Sequence, residues 1–258
     1  MKSWLMALLL IGCASTGISP EARNDLAPNG KLRAAINLGN PALAKRDAKG
    51  EVAGITLDLG RALAQRLGAE FVPVLYPNVG ALVEGAKAGA WDIGFAAIDP
   101  ARADTLEFTA AYMEVSVTLL VPANSGIQAL ADADRAGVRI GVGTRNAADL
   151  FLSRNLKQAE LVRVADNLDA AVGLLQAGRA DVYASNREGL LSLRDKLPGY
   201  RIVENRFYAV EHAIALPRGK KAGLAFVAAY VEELKRSGEV ARAIERNALR
   251  GVEVAPAK

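Results

Sequence analysis

The sequence predicts an α/β protein of two lobes, each a mostly parallel sheet flanked by helices, with two hinge crossings between them. Three features point there. One motif occurs twice: Ala88-Gly89-Ala90-Trp91-Asp92-Ile93-Gly94-Phe95-Ala96 is echoed by Ala177-Gly178-Arg179-Ala180-Asp181-Val182-Tyr183-Ala184. Each copy follows a helical stretch, over 79–87 and 168–176, and reads as helix, glycine stop, turn with Asp, short apolar strand. Gly after the last periodic residue supplies the left-handed cap that ends a helix. The β-branched and aromatic run behind it suits a buried strand. Second, helices and strands alternate through both halves, as they do in a parallel sheet covered by helices. Third, the apolar run over 115–121 and the segments 201–203 and 210–216 stand where a chain would leave one lobe and return to it. Two lobes imply a cleft, and clefts are where small ligands bind.

The elements follow in order. A strand over 31–37 precedes the Gly50-Glu51 turn. A helix over 56–67 carries Leu59, Leu63 and Leu67 on one face and stops at Gly68. A strand over 71–75, a helix over 79–87 and a strand over 92–96 complete the first lobe's β-α-β run. The run over 115–121 ends in Pro122-Ala123-Asn124-Ser125-Gly126, which reads as a hinge. The second lobe then has a helix over 128–134, a strand over 138–142, and a helix from Asn146 with Ala147, Leu150 and Phe151 on one face. A strand over 161–164 follows. Leu168, Ala171, Val172 and Leu175 make an i, i+3, i+4, i+7 face before the strand over 181–184. Segments 201–203 and 210–216 bracket the return. Leu224, Val227, Ala228 and Val231 mark a late helix, and Val240 and Ile244 another after Ser237-Gly238. The expected organisation is residues 30–121 and 209–258 as lobe one, with 122–208 inserted as lobe two.

Composition bounds the function. The chain has 258 residues, 51% hydrophobic and 23% charged, enough for a substantial core. The net charge of +4 is mild and its Lys and Arg are scattered, so no nucleic-acid partner is expected. With a single His, His212, and a single Cys, Cys13, no ordinary zinc or thiol site can be assembled. No metal and no cofactor are expected. A Gly-x-Ser-x-Gly elbow is absent, which places an enzyme below a binding protein.

Residues 1–13 read as a targeting segment. Lys2 precedes an apolar stretch over 4–11 that is too short to span a bilayer. Leu10-Ile11-Gly12-Cys13 looks like a lipobox, whose Cys is lipidated and becomes the first mature residue. The alternative is an ordinary secretory signal cut nearby, with Cys13 incidental. More than one acyl chain on Cys13 would meet the requirement for stable anchoring. Residues 14–29 then read as a polar tether.

The order of Gly30-Lys31-Leu32-Arg33, Gly54-Ile55-Thr56-Leu57-Asp58-Leu59, the two Gly-to-Asp motifs, Asp99-Pro100-Ala101-Arg102, and Phe108-Thr109 with Tyr112 resembles the family-3 solute-binding proteins. These are extracytoplasmic receptors of bacterial ABC importers for amino acids and related solutes. The resemblance implies a periplasmic or cell-envelope location, a small-molecule solute, an inner-membrane ABC permease as partner, and a monomer that closes on its ligand by hinge bending. It places Arg102 on the ligand carboxylate, which a planar guanidinium fits bidentately. It assigns the loop with Thr144, Arg145 and Asn146 to the same carboxylate. There the helix start offers free N–H groups, and Asn146 is a good cap. The family's acidic partner for a ligand ammonium falls on Asn186, followed by Arg187. The stacking aromatic is replaced by Asn40-Pro41-Ala42-Leu43, and small hydroxyl residues by Phe95 and Ala97. These departures point to an anionic or neutral solute without a free amine. Asn37, Asn40, Tyr76, Asn78 and Asp99 are further lining candidates, Tyr76 as a substitute platform or as a core aromatic. His212 reads as structural. The alternatives are an enzyme on the same fold, of the arogenate or prephenate dehydratase type, with Asp99 the one obvious cleft carboxylate, and an orphan receptor serving a separate sensor.

Overall fold

The computed structural model describes residues 17–47 and 49–258, so the predicted lipobox at Cys13 lies outside the described residues. The first element was not expected. Helix α1 (Pro20–Leu26) is capped by the Ser19 hydroxyl, which accepts from the Ala22 N–H, and has Pro in its first turn. It falls inside the segment read as a tether. Its two buried side chains, Ala22 and Leu26, stand four apart on one face, and they pack on a helix near the other end of the chain.

Strand β1 (Lys31–Asn37) is followed by a small hairpin of β2 (Lys45–Arg46) and β3 (Val52–Ala53), then helix α2 (Ile55–Leu67). Gly68 ends α2 at φ 64°, the left-handed stop that the sequence predicts. Strand β4 (Glu70–Tyr76), helix α3 (Val79–Lys87) and strand β5 (Ile93–Ala97) complete the first half, with β1 parallel to both β4 and β5.

Strand β6 (Leu106–Pro122) is far longer than expected at 17 residues. Its second half is mostly apolar, broken only by Ser116 and Thr118, whereas Glu107, Thr109 and Glu114 disguise the first. The second lobe carries helix α4 (Leu130–Ala133), strand β7 (Arg139–Gly143), helix α5 (Ala147–Asn155), strand β8 (Glu160–Val164), helix α6 (Leu168–Gln176) and strand β9 (Val182–Asn186). Helix α7 (Arg187–Lys196) starts directly on the end of β9 and buries only Leu190 and Leu193. Strand β10 (Tyr200–Ile202) and the return strand β11 (Tyr208–Pro217) follow. Helix α8 (Lys221–Arg236) receives α1: Asp25 accepts from the Gly223 N–H at 3.0 Å, and a side chain at Gly223 would run into Asp25 and Leu26. Helix α9 (Glu239–Arg246) and strand β12 (Val252–Val254) end the fold.

The sheet order is β4-β1-β5-β11-β6-β9-β7-β8, with β10 and β12 also paired to β6. Both ends are parallel, and β6 and β11 run antiparallel through the middle. Separate apolar cores lie on either side of them. One gathers Leu32, Ile36, Ile55, Phe95 and Val227; the other Val117, Ile140, Val142, Leu152 and Val182.

The repeated motif has a structural role. Asp92 accepts from the backbone N–H of Arg33 at 2.9 Å and from its guanidinium at 2.7 Å. Asp181 does the same to Arg139, at 2.8 and 2.7 Å. Each Asp therefore ties the turn before its strand to the neighbouring parallel strand. The Arg139 guanidinium beside Asp181 holds its carboxyl below the usual carboxylate range.

Tyr112 is fully buried against Phe95, ring centroids 6.0 Å apart, and its hydroxyl has no hydrogen-bond partner among the described residues. A buried donor without a partner costs about 1–3 kcal/mol. Tyr112→Phe is therefore expected to leave stability unchanged or raise it in chemical denaturation, and a loss above about 1 kcal/mol would contradict the unpaired hydroxyl.

Candidate functional site

A cavity of about 640 Å³ lies between the lobes, within the size range of small-molecule sites. The carboxyl end of β1 brings Asn37, β5 brings Ala97, and the turn behind β5 brings Asp99 and Arg102. Across the gap, the start of α5 brings Arg145 and Asn146, and the end of β9 brings Asn186. Ligands in open α/β sheets sit outside carboxyl strand ends, as here.

Arg102 closes the short 3-10 turn Pro100–Arg102, which Asp99 caps by accepting from the Ala101 N–H. One arm of its guanidinium donates to the Ala97 carbonyl at 2.5 Å. The nearest carboxylate, Asp99, stands 3.9 Å from the other arm. The side chain is only 20% exposed, and burial lowers its pKa below the ordinary arginine value. Arg102 is thus a largely buried cation without a close counterion, the arrangement that an incoming anion would complete.

His212 sits on β11 behind this arginine. Its Nδ1 lies 3.2 Å from the Val210 carbonyl and its Nε2 lies 3.4 Å from the Asn40 amide nitrogen. Nδ1–H therefore donates to Val210, and Nε2 is left to accept from Asn40. Burial, aided by the Arg102 charge, pushes the imidazole down to about 4 from its ordinary 6.5. The folded state holds it neutral while the unfolded chain protonates it first. This contribution to stability is full above pH 6.5 and is lost as pH falls toward about 4. The loss is of order 3 kcal/mol. His212→Gln is expected to remove that part of the pH dependence in denaturation curves at pH 7 and pH 4.5; an unchanged slope would contradict a neutral buried His212.

On the second lobe, Asn146 caps α5 by accepting from the Asp149 N–H, and its amide donates to Asp166 at 3.1 Å. It is a cap and a cleft residue together. Arg145 is held at φ 63°, and its N–H donates to the buried Asp149 carboxylate, itself pinned by Arg163 at 2.9 Å. Left-handed backbone at a non-glycine residue carries strain of the kind stored at binding sites. Gly143 lets the Asp166 carboxylate sit against the loop, where a Cβ would push it aside. Asn186 caps α7 by accepting from the Gly189 N–H at 2.7 Å.

Residues 32–248 match the model of the bacterial extracellular solute-binding proteins, family 3. The chain belongs to this family. The putative amino-acid ABC transporter-binding protein YhdW of Escherichia coli K12 is 24% identical over 211 residues, 76% of this chain and 61% of the relative. The chain thus spans less than two thirds of that relative. Among solved structures, an ArgBP mutant from T. maritima superposes with a TM-score of 0.65 at 22% identity, covering 89% of this chain and all of that one. The cysteine-binding protein of Campylobacter jejuni gives 0.66 at 20% identity, covering 88% and 93%. The ancestral amino acid-binding protein AncCDT-1, a precursor of cyclohexadienyl dehydratase, gives 0.67 at 21% identity, covering 87% and 98%. These likenesses support the two-lobed fold.

In this solute-binding protein several expectations need correction. Thr144 does not line the cavity: its hydroxyl donates to the Val164 carbonyl at 2.8 Å, which ties two loops. Tyr76 is not a platform. It packs against α3, where its ring lies over Gly85 and would collide with any Cβ there. Arg187 turns away from the cleft, toward the Val203 and Glu204 carbonyls and against Gly251, so it opposes no ligand cation. Asp99 is not the one cleft carboxylate, because Asp166 lines the cavity too. Asn37, Asn40, Asn78, Ala97 and Asp99 do line it.

The sequence reading also missed Tyr208, Val210 and Arg154, which line the cavity from the return strand and from α5. Tyr208 stacks on Phe151, centroids 4.7 Å apart and planes 25° apart. Its signal was topological: the strand that returns between two lobes must pass the cleft floor. Among the described residues no cluster of metal-ligating side chains occurs, and no helix is long and apolar enough to cross a membrane.

Proposed function

We propose that the protein is the extracytoplasmic receptor of an ABC importer and captures a small carboxylate-bearing solute between its lobes. Residues 30–121 with 209–258 form one closing body and residues 122–208 the other, and the protein acts as a monomer. A lipid on Cys13 anchors it in the cell envelope, where it hands its solute to an inner-membrane permease. The Escherichia coli relative, named as an amino-acid ABC transporter-binding protein, supports the importer part of this reading.

The observation that carries it is Arg102, largely buried, with one arm fixed by a carbonyl and its nearest carboxylate 3.9 Å away. Closure is favoured only by a ligand that touches both lobes, since a ligand shifts an equilibrium by its differential affinity. The start of α5, with Arg145 and Asn146, supplies that second contact. An ammonium would meet only an amide at Asn186, whose side-chain oxygen already accepts from the Gly189 N–H. The solute is therefore a carboxylate without a free amine.

A thermal-shift screen of amino acids, dicarboxylates, keto acids and small amides tests this. Amine-free carboxylates should raise the melting temperature. A response to common amino acids alone would keep the receptor and overturn the amine argument, and silence from every carboxylate would overturn both.

A further inference from the structure

A second cavity, of about 370 Å³, opens off the cleft. The two share Asn40, Pro41, Asp166, Ser185 and Asn186, so one space runs into the other. Past this junction the annex lies between the first turns of α6 and α7, and its walls change character. Leu168, Ala171, Tyr183 and Leu193 line it; its one carboxylate beyond the junction, Glu188, is paired to Arg250 at 3.1 Å, and no Arg or Lys is among its lining residues. Leu168, which lines it, is 37% exposed.

Tyr183 supplies the annex with a hydrogen-bond donor. It is 4% exposed, its ring sits in the core beside Leu174, and its hydroxyl has no hydrogen-bond partner among the described residues. Burial, with the nearby Asp166 charge, pushes the phenol up to about 12, so it remains a neutral donor. The hydroxyl is reached from the annex and is free to donate to a ligand there.

We infer that the natural ligand is a carboxylate carrying an uncharged, partly apolar arm, with its acid on Arg102 and its arm in the annex, N-acylated amino acids being the class that fits. This rests on the reading of the cleft as a carboxylate site. Asp166 stands at the junction of the two spaces, where it accepts the amide N–H of such a ligand. Tyr183 donates to the acyl carbonyl, and Leu168, Ala171 and Leu193 take the hydrocarbon. A ligand of this class needs no ammonium partner, which agrees with the amide at Asn186.

The test is titration calorimetry on the full chain with glycine, N-acetylglycine, N-butanoylglycine and N-hexanoylglycine. Affinity should rise along the acyl series by about fourfold per methylene until the annex is full, from ~0.8 kcal/mol per buried CH₂. Ser192→Phe, which fills the annex, should cancel the gain and leave N-acetylglycine within about twofold of wild type. Tyr183→Phe should weaken every acylglycine several-fold. Melting curves check both variants, and the smaller Ser192→Leu replaces Ser192→Phe if that variant does not fold. A flat acyl series, with N-acetylglycine still bound and lost in Arg102→Ala, overturns the annex and leaves the receptor. No binding by any acylglycine, together with no response to any simple carboxylate, overturns both.

Discussion

Arg102→Ala weakens carboxylate binding by about a hundredfold or more, while the melting temperature of the free protein barely moves. Hydrogen bonds to charged groups contribute about 1.5–3 kcal/mol each, and a bidentate guanidinium makes two of them. The unliganded protein loses little. The side chain makes one hydrogen bond, to the Ala97 carbonyl, and sits 3.9 Å from Asp99. Removing a cation that burial already disfavours costs less than removing a paired one. Arg102→Lys keeps the charge but loses the planar fork, so it should fall between the two. Titration of the three proteins with one carboxylate reads this directly. Equal affinity in all three would show that the anion is held elsewhere, with Arg145 and Arg154 the next candidates in the same cavity.

The second large effect is on stability, and it compares the two halves of the repeat. Asp92 and Asp181 make matching contacts to Arg33 and Arg139. Their surroundings differ: the Asp92 side chain is 4% exposed and that of Asp181 is 42% exposed. Water can replace the lost partners at the exposed site and not at the buried one. Asp92→Ala should therefore cost about 3 kcal/mol, near the lower end for breaking a buried pair. Asp181→Ala should cost about 1 kcal/mol or less. Urea denaturation of both variants checks the difference. Equal losses would mean that the motif's backbone turn, rather than the carboxylate's burial, sets the energy.

Much of the fold was legible because local and global signals agree along most of the chain. The helix over 79–87 and the helix over 168–176 match α3 and α6 residue for residue. Both are bounded by an Asn cap and an Ala-Gly stop, signals that need no tertiary knowledge. What escaped depends on distant partners. Helix α1 shows only two apolar residues, and their meaning lies on α8, some two hundred positions away. The first half of β6 looks polar because Glu114 is paired with Arg206 at 2.7 Å, a contact between remote segments. Strand β12 exists through its pairing with β6.

The site divides along the same line. Arg102, Asn146 and Asn186 were legible through the resemblance to the family-3 receptors, and all three line the cavity. Side-chain direction was not legible. Thr144, Tyr76 and Arg187 occupy plausible positions and point to Val164, Gly85 and Glu204 instead. Asp166 was overlooked because it follows a strand that carries no motif. It becomes visible only when Gly143 lets the two loops meet.

Capture between two closing lobes is tested most directly by small-angle X-ray scattering of the purified chain. The reference is the free protein, and the additive is the acid that gives the largest thermal shift. The radius of gyration should fall when that acid saturates the wild-type protein, and should stay at the free value in Arg102→Ala at the same concentration. A wild-type particle that binds the acid without contracting would contradict closure around a solute held by Arg102.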